Sequence, residues 1–296
     1  MRALPFLLLA LPALAGATPG LEETYAAHGR LIVASFASAP FPHPARAEGH
    51  TYQGKLYPAA ENYADNTVVL FIPKGFRETD RIDFVVHFHG WNNTVAGTLA
   101  TFHLAEQLVA SGKNAILVVP EGPQDAPDSF GGKLEDAGGF ARFMDEVLAT
   151  LRTRAGFKRK DFSAGRIILS GHSGGYHVMA GILDRGGLAR NIAEVWLFDA
   201  LYGQTDSFVG WAQRSPGRLI DLYTDHGGTK EETEKLITHL RAVDTTILQA
   251  EEAQIDPASL KGLHYVFIHT DLTHNEVLDK RGEFARFLKT SVLTDR

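Results

Sequence analysis

Apolar residues along this chain gather in short unbroken runs, separated by stretches where they recur every three or four positions. The runs cover residues 67–72, 83–89, 114–119, 166–170, 194–199, 218–223 and 264–269. Pro73, Gly90 and Pro120 end the first three. Near-continuous runs, as opposed to alternating ones, predict strands covered on both faces. Between them, residues 98–110, 139–151, 229–240 and 284–292 place their apolar side chains on one helical stripe, as Phe140, Phe143, Met144, Val147, Leu148 and Leu151 do in the second. Strand and helix in alternation predict an α/β architecture, an open and mostly parallel sheet with helices on both faces. No internal repeat, low-complexity tract or linker-like stretch divides residues 18–296, which read as one domain.

Composition narrows the class. The chain has 296 residues, 44% of them hydrophobic and 22% charged, which suits a chain able to bury a sizeable core. A net charge of −6, with no basic stripe, argues against nucleic acid as a partner. The densest cations, Arg152, Arg154, Lys158, Arg159 and Lys160, fall at a predicted helix end, where the helix dipole favours them.

The N-terminus predicts a cleaved signal peptide over residues 1–17. Met1-Arg2 is a positive start, residues 4–14 are apolar, and Ala15-Gly16-Ala17 is a small-x-small cleavage site. The apolar run is too short to span a bilayer, and no other stretch is apolar enough to do so. The expected location is outside the cytoplasm, secreted or periplasmic. With no cysteine in the chain, disulfides, thiolate metal sites and a lipidated cysteine are all excluded.

Candidate chemistry centres on Gly171-His172-Ser173-Gly174-Gly175, between the run at 166–170 and a helical segment. A serine between glycines at a strand-to-helix turn is lifted clear of the sheet, with backbone N–H groups gathered at a helix start. A serine hydroxyl needs a base to take its proton and a carboxylate to orient that base. In an open parallel sheet such groups collect at the carboxyl ends of the strands. His274, a few residues past the last run, is the predicted base. His226 is a weaker candidate, and His264 and His269 read as structural. For the acid, Asp199 closes a fully apolar strand and needs a partner there. Asp225, at the end of the next run, is the alternative, with Asp206 and Asp271 behind it.

A developing oxyanion needs preorganised donors. The N–H groups of Gly174 and of Trp91, after Gly90, are the expected pair. His87 and His89 alternate on a strand and so share a face, which admits a metal pair. Nothing nearby supplies the further ligands of a hydrolytic metal site, so no metal is expected. His87 reads best as a hydrogen-bonded core residue. The Gly- and Pro-rich stretch 120–132 is long for a connection and reads as a substrate-binding loop. Tyr202 and Trp211 are candidate pocket walls.

Gly171-His172-Ser173-Gly174-Gly175, His89-Gly90-Trp91, a later Asp and a terminal His274, in the order Ser, Asp, His, resemble the α/β-hydrolase superfamily over nearly the whole chain after residue 17. Exported lipase-like and polyester-depolymerase-like esterases are the nearest broad comparison. The resemblance implies an eight-stranded, mostly parallel sheet, an acyl-serine intermediate and no cofactor. The segment between Asp199 and Arg218 is too short for a large helical lid. The expected function is an exported serine hydrolase acting on a carboxylic ester, or an amide, of a small-molecule or polymeric substrate. The competing expectation is a non-catalytic protein binding cell-envelope material on the same scaffold.

Overall fold

The computed structural model describes residues 20–242 and 246–296, so the predicted signal peptide lies outside the described residues. Eleven strands form in chain order among the described residues. They are β1 (Gly29–Ser35), β2 (His50–Tyr52), β3 (Lys55–Tyr57), β4 (Thr67–Pro73), β5 (Arg81–Phe88), β6 (Ala115–Pro120), β7 (Ser163–His172), β8 (Ile192–Phe198), β9 (Arg218–Thr224), β10 (Ile247–Glu251) and β11 (Tyr265–Thr270). Nine of them make one sheet in the order β1-β4-β6-β5-β7-β8-β9-β11-β10, and β2 pairs with β3 in a small hairpin. Only β4 runs against the others in the large sheet. The sheet thus has one strand more than the eight expected.

The unbroken apolar runs have the predicted cause, because each strand feeds two cores. Val68, Leu70 and Ile72 of β4 face one core, while Val69 and Phe71 face the other. The first core packs the sheet against helices Gly139–Arg154, Tyr176–Gly181, Thr205–Arg214 and Lys230–Arg241. The second packs it against Val95–Phe102, Leu104–Ser111 and Glu283–Thr290. Arg152 and Arg154 close the last turn of Gly139–Arg154, and Arg152 also donates to the Phe162 carbonyl at 2.7 Å while lying over the Phe162 ring. The basic cluster therefore ties a helix end to the loop that follows it.

The structure departs from the sequence expectation in several places. The helix predicted over 98–110 is two helices, broken at His103, which adopts a left-handed φ of 49°. Helix Thr205–Arg214 and strands β1, β2, β3 and β10 were not legible in the apolar pattern. No helix among the described residues is long and apolar enough to cross a membrane.

Candidate active site

Every candidate group of the Ser, His and Asp set lies at the carboxyl edge of the sheet. Ser173 follows β7, Asp199 follows β8, His274 follows β11, and Gly90 and Trp91 follow β5. Strand order brings β5, β7 and β8 side by side, which is why residues more than 80 positions apart meet.

Ser173 sits at a sharp turn with φ 52°, a left-handed conformation that costs a non-glycine residue of order 1 kcal/mol or more. Its flanking glycines are required by close packing. A Cβ on Gly171 would lie 2.5 Å from Met179 Sδ, and one on Gly175 would lie 2.6 Å from the Phe88 carbonyl oxygen. A Cβ on Gly90 would lie 2.5 Å from Ser173 Cβ. The backbone leading into Trp91 therefore passes directly against the serine, and Gly174 abuts both Trp91 and Ser129.

Asp199 is fully buried, and its backbone also holds a positive φ, 44°. Four donors satisfy its carboxylate. His274 Nδ1 donates to Oδ2 at 2.6 Å, and the Thr224 hydroxyl to Oδ2 at 3.0 Å. The Thr224 N–H donates to Oδ1 at 3.2 Å, and the Thr229 hydroxyl also donates to Oδ1. Burial alone would raise this carboxyl. The hydrogen bonds from His274 and the two threonines, with the attraction of His274, outweigh it and hold the group below the ordinary carboxylate value. Gly227 closes the pocket around it: a Cβ there would lie 2.0 Å from Asp199 Oδ2.

The alternative acid, Asp225, is engaged elsewhere. It is exposed and paired with Lys230 at 2.7 Å and with His269 at 3.1 Å. It follows Thr224 directly at the end of β9, and its carboxylate is taken up by these two partners. Asp271 is on Arg281, and His226 and His264 are exposed. Asp206 lies in the first turn of helix Thr205–Arg214.

The two strand histidines have separate structural partners. His87 Nδ1 lies 2.9 Å from the Ser170 hydroxyl, and the ring packs edge-on against Phe284. Burial first, then repulsion from His172 and His89, hold it well below the usual imidazole value, so it is neutral. His89 Nδ1 donates to the Gly90 carbonyl at 2.8 Å, and Gly122 N–H donates to Nε2 at 2.9 Å. Nε2 is also 3.0 Å from Glu121. His89 thus pins the Gly90 turn to the loop after β6. Among the described residues, no three His, Asp or Glu side chains are grouped to hold a metal.

Ser173 and His274 open on a cavity of about 670 Å³ walled by Trp91, Phe102, Tyr176 and Tyr202. The predicted substrate loop contributes Ser129, whose hydroxyl accepts from the Trp91 indole N–H at 2.7 Å. Trp91 is 41% exposed at the mouth. Trp211, by contrast, is buried away from this cavity and lines a different one, so it is not a wall of the site. Sequence reasoning gave Tyr202 no more than a wall. Its hydroxyl lies 3.5 Å from His274 Nδ1 and within hydrogen-bonding reach of Ser173, and burial, then the Asp199 charge, raise it well above the usual phenol value. A single tyrosine in a loop carries no pattern that would assign this contact.

The strand order and the strand–Ser173–helix turn define the α/β-hydrolase fold. No protein-family model and no curated protein sequence matches the chain. Among solved structures it is similar to the substrate-bound fluorophosphonate-binding serine hydrolase F (FphF) of Staphylococcus aureus. The TM-score is 0.52 and the identity 10%, over 89% of this chain and 99% of that one. It is also similar to the feruloyl esterase module from Clostridium thermocellum complexed with sinapinate, with a TM-score of 0.51 and 10% identity over 89% of each chain. At these identities the likeness is one of fold.

Proposed function

We propose that the protein is an exported serine hydrolase that cleaves a carboxylic ester through an acyl-serine intermediate. The observation that carries this reading is the 2.6 Å bond from His274 Nδ1 to the buried Asp199 carboxylate, on a cavity shared with Ser173. A surface histidine has no need of a fully buried carboxylate with three further donors. An imidazole that must accept a proton and bear charge has such a need.

With Nδ1 bound to Asp199, Nε2 is the nitrogen left for Ser173. The Ser173 Oγ attacks the acyl carbonyl carbon as Nε2 takes the hydroxyl proton. The carbonyl oxygen becomes an oxyanion, for which the N–H groups of Gly174 and Trp91 are the donors. Collapse breaks the bond to the alcohol oxygen, which leaves with the Nε2 proton. Water, deprotonated by the same Nε2, attacks the acyl-serine, and Ser173 is released with its proton restored. The aromatic walls suit a flat apolar group on one side of the ester. Two of the fold neighbours are a serine hydrolase and a feruloyl esterase module, which supports the same reading. The N-terminal stretch 1–17 supports export.

The test is hydrolysis of p-nitrophenyl acetate and of methyl ferulate by protein lacking residues 1–17, beside Ser173→Ala. Turnover that vanishes in the variant supports the reading. Turnover that survives, or no turnover on either ester, overturns it.

A further inference from the structure

The triad chemistry makes no use of the Tyr202 hydroxyl, which lies within hydrogen-bonding reach of Ser173 and 3.5 Å from His274 Nδ1. The fold holds it there from several sides. Tyr202 follows Asp199 in the loop from β8 to helix Thr205–Arg214, and the intervening Ala200 and Leu201 are fully buried and anchor that loop. The Tyr202 ring packs against Tyr176, which opens the helix after Ser173, at 6.0 Å between centroids. It also meets the His274 imidazole edge-on at 6.2 Å. The phenol is thus held between the elbow helix and His274, on the cavity that Ser173 shares.

Ser173 Oγ is the acceptor open to this hydroxyl. His274 Nδ1 donates its proton to Asp199 at 2.6 Å, so it offers the phenol no lone pair. Burial first, then the Asp199 charge, hold the phenol well above its usual value, so it keeps its proton and donates.

A donor on Ser173 Oγ has unequal value in the two halves of an acyl-serine reaction. A serine hydroxyl is already a good acceptor, so the bond gains little as Oγ attacks the substrate. In the acyl-serine, Oγ is the alkoxy oxygen of an ester, a weak acceptor. Once water has added, the C–Oγ bond breaks and Oγ takes the electron pair. His274 Nε2 then gives Oγ the proton it took from the water. Negative charge grows on Oγ in that step, and a bond donated to it strengthens accordingly, which is the condition for accelerating it. Tyr202 keeps its own proton throughout.

We infer that Tyr202 is a catalytic residue for release of the acyl group, its hydroxyl donating to Ser173 Oγ as that oxygen leaves. The inference rests on the reading of Ser173 as the nucleophile.

The test compares the intact folded chain with Tyr202→Phe, which keeps the ring and removes the donor. Hydrolysis of p-nitrophenyl acetate, whose acylation step is fast, is followed over the first turnover and in the steady state. Competent sites in both proteins are counted by fluorophosphonate labelling of Ser173 carried to completion. On an acyl-enzyme pathway kcat/KM reports the steps up to acylation, whereas kcat also reports deacylation. The expected result in the variant is kcat and KM both lowered about tenfold, with kcat/KM within about twofold of the unaltered chain and a burst of p-nitrophenolate equal to the labelled sites. An unchanged kcat, or a kcat/KM that falls as far as kcat, overturns the inference and leaves the reading of Ser173 in place. No labelling of Ser173 and no burst in either protein overturns that reading and the inference with it.

Discussion

The imidazole of His172, next to the elbow serine, donates from Nε2 to the backbone carbonyl of His274 at 2.8 Å, and the two rings lie 4.7 Å apart at 31°. A carbonyl only accepts, so Nε2 carries the proton. Burial first, then repulsion from His274, depress His172 to about 4, so the ring is neutral in the working range. His172 thus fixes the loop that carries His274, the proposed base, without competing for its proton. Phe102 holds it from the other side, edge-on at 4.9 Å.

His172→Phe keeps an aromatic ring against His274 but removes the donor. Freed by a fraction of an ångström, the base loses alignment with Ser173, and misplacement on that scale costs about 10- to 100-fold in rate. The expected outcome is a fall in kcat with little change in KM. Steady-state kinetics at several pH values checks it, since a purely structural role would lower stability and leave kcat per folded molecule intact.

The two aspartates separate sharply. Asp199→Asn removes the acceptor that orients His274 and offsets its charge, and a loss of about 10³- to 10⁴-fold in kcat is expected. Asp225→Asn breaks exposed pairs with Lys230 and His269, which are worth little in solvent, and activity stays within about twofold. Side-by-side ester hydrolysis decides between them.

Gly227→Ala is the quietest change with a large expected effect. Its Cβ would sit 2.0 Å from Asp199 Oδ2, so the carboxylate or the loop must move. The expected result is a loss of activity approaching that of Asp199→Asn. A thermal unfolding curve beside the kinetics separates a displaced acid from a collapsed loop.

The elbow was readable because its chemistry and its packing ask for the same residues: Gly171 and Gly175 meet Met179 and Phe88 at distances that exclude a side chain. Asp199 was readable because a carboxylate at the end of an apolar strand needs a partner. The parallel strands were readable because two-sided burial leaves continuous apolar runs. The edge strand β10 was not, since half-exposed Ile247, Leu248 and Ala250 lack that signature. The break at His103 was missed because the apolar stripe runs on across a backbone reversal. Tyr202 and Trp211 were indistinguishable in sequence, each a candidate pocket wall, and only the topology puts one at each edge of the sheet.

Stability should depend on pH through Asp221. It is fully buried, with the Thr233 hydroxyl donating to Oδ2 at 2.6 Å and no partner at Oδ1. Burial, with the Asp199 charge adding to it and the Thr233 bond opposing, pushes the carboxyl up to about 7. A raised folded value means the unfolded chain releases this proton first, so ionisation favours unfolding. The destabilisation grows from about pH 4 to about pH 7 and is complete above that. Asp221→Asn should therefore stabilise the protein at pH 8 by on the order of 2–4 kcal/mol, a gain that vanishes near pH 4. His172 acts in the other direction. Its depressed value means stability is full above about pH 6.5 and is lost as pH falls toward 4, where the unfolded chain binds the proton first. Urea unfolding at both ends of the range measures the two slopes.

The central claim is that Ser173 is an activated nucleophile, and covalent labelling tests it most directly. Protein lacking residues 1–17 is treated with a fluorophosphonate probe, and the adduct is located by mass spectrometry. The account predicts a single adduct on Ser173, absent in Ser173→Ala and formed far more slowly in His274→Ala and Asp199→Asn. No adduct on folded protein, or labelling as fast in His274→Ala as in the unaltered chain, would contradict it.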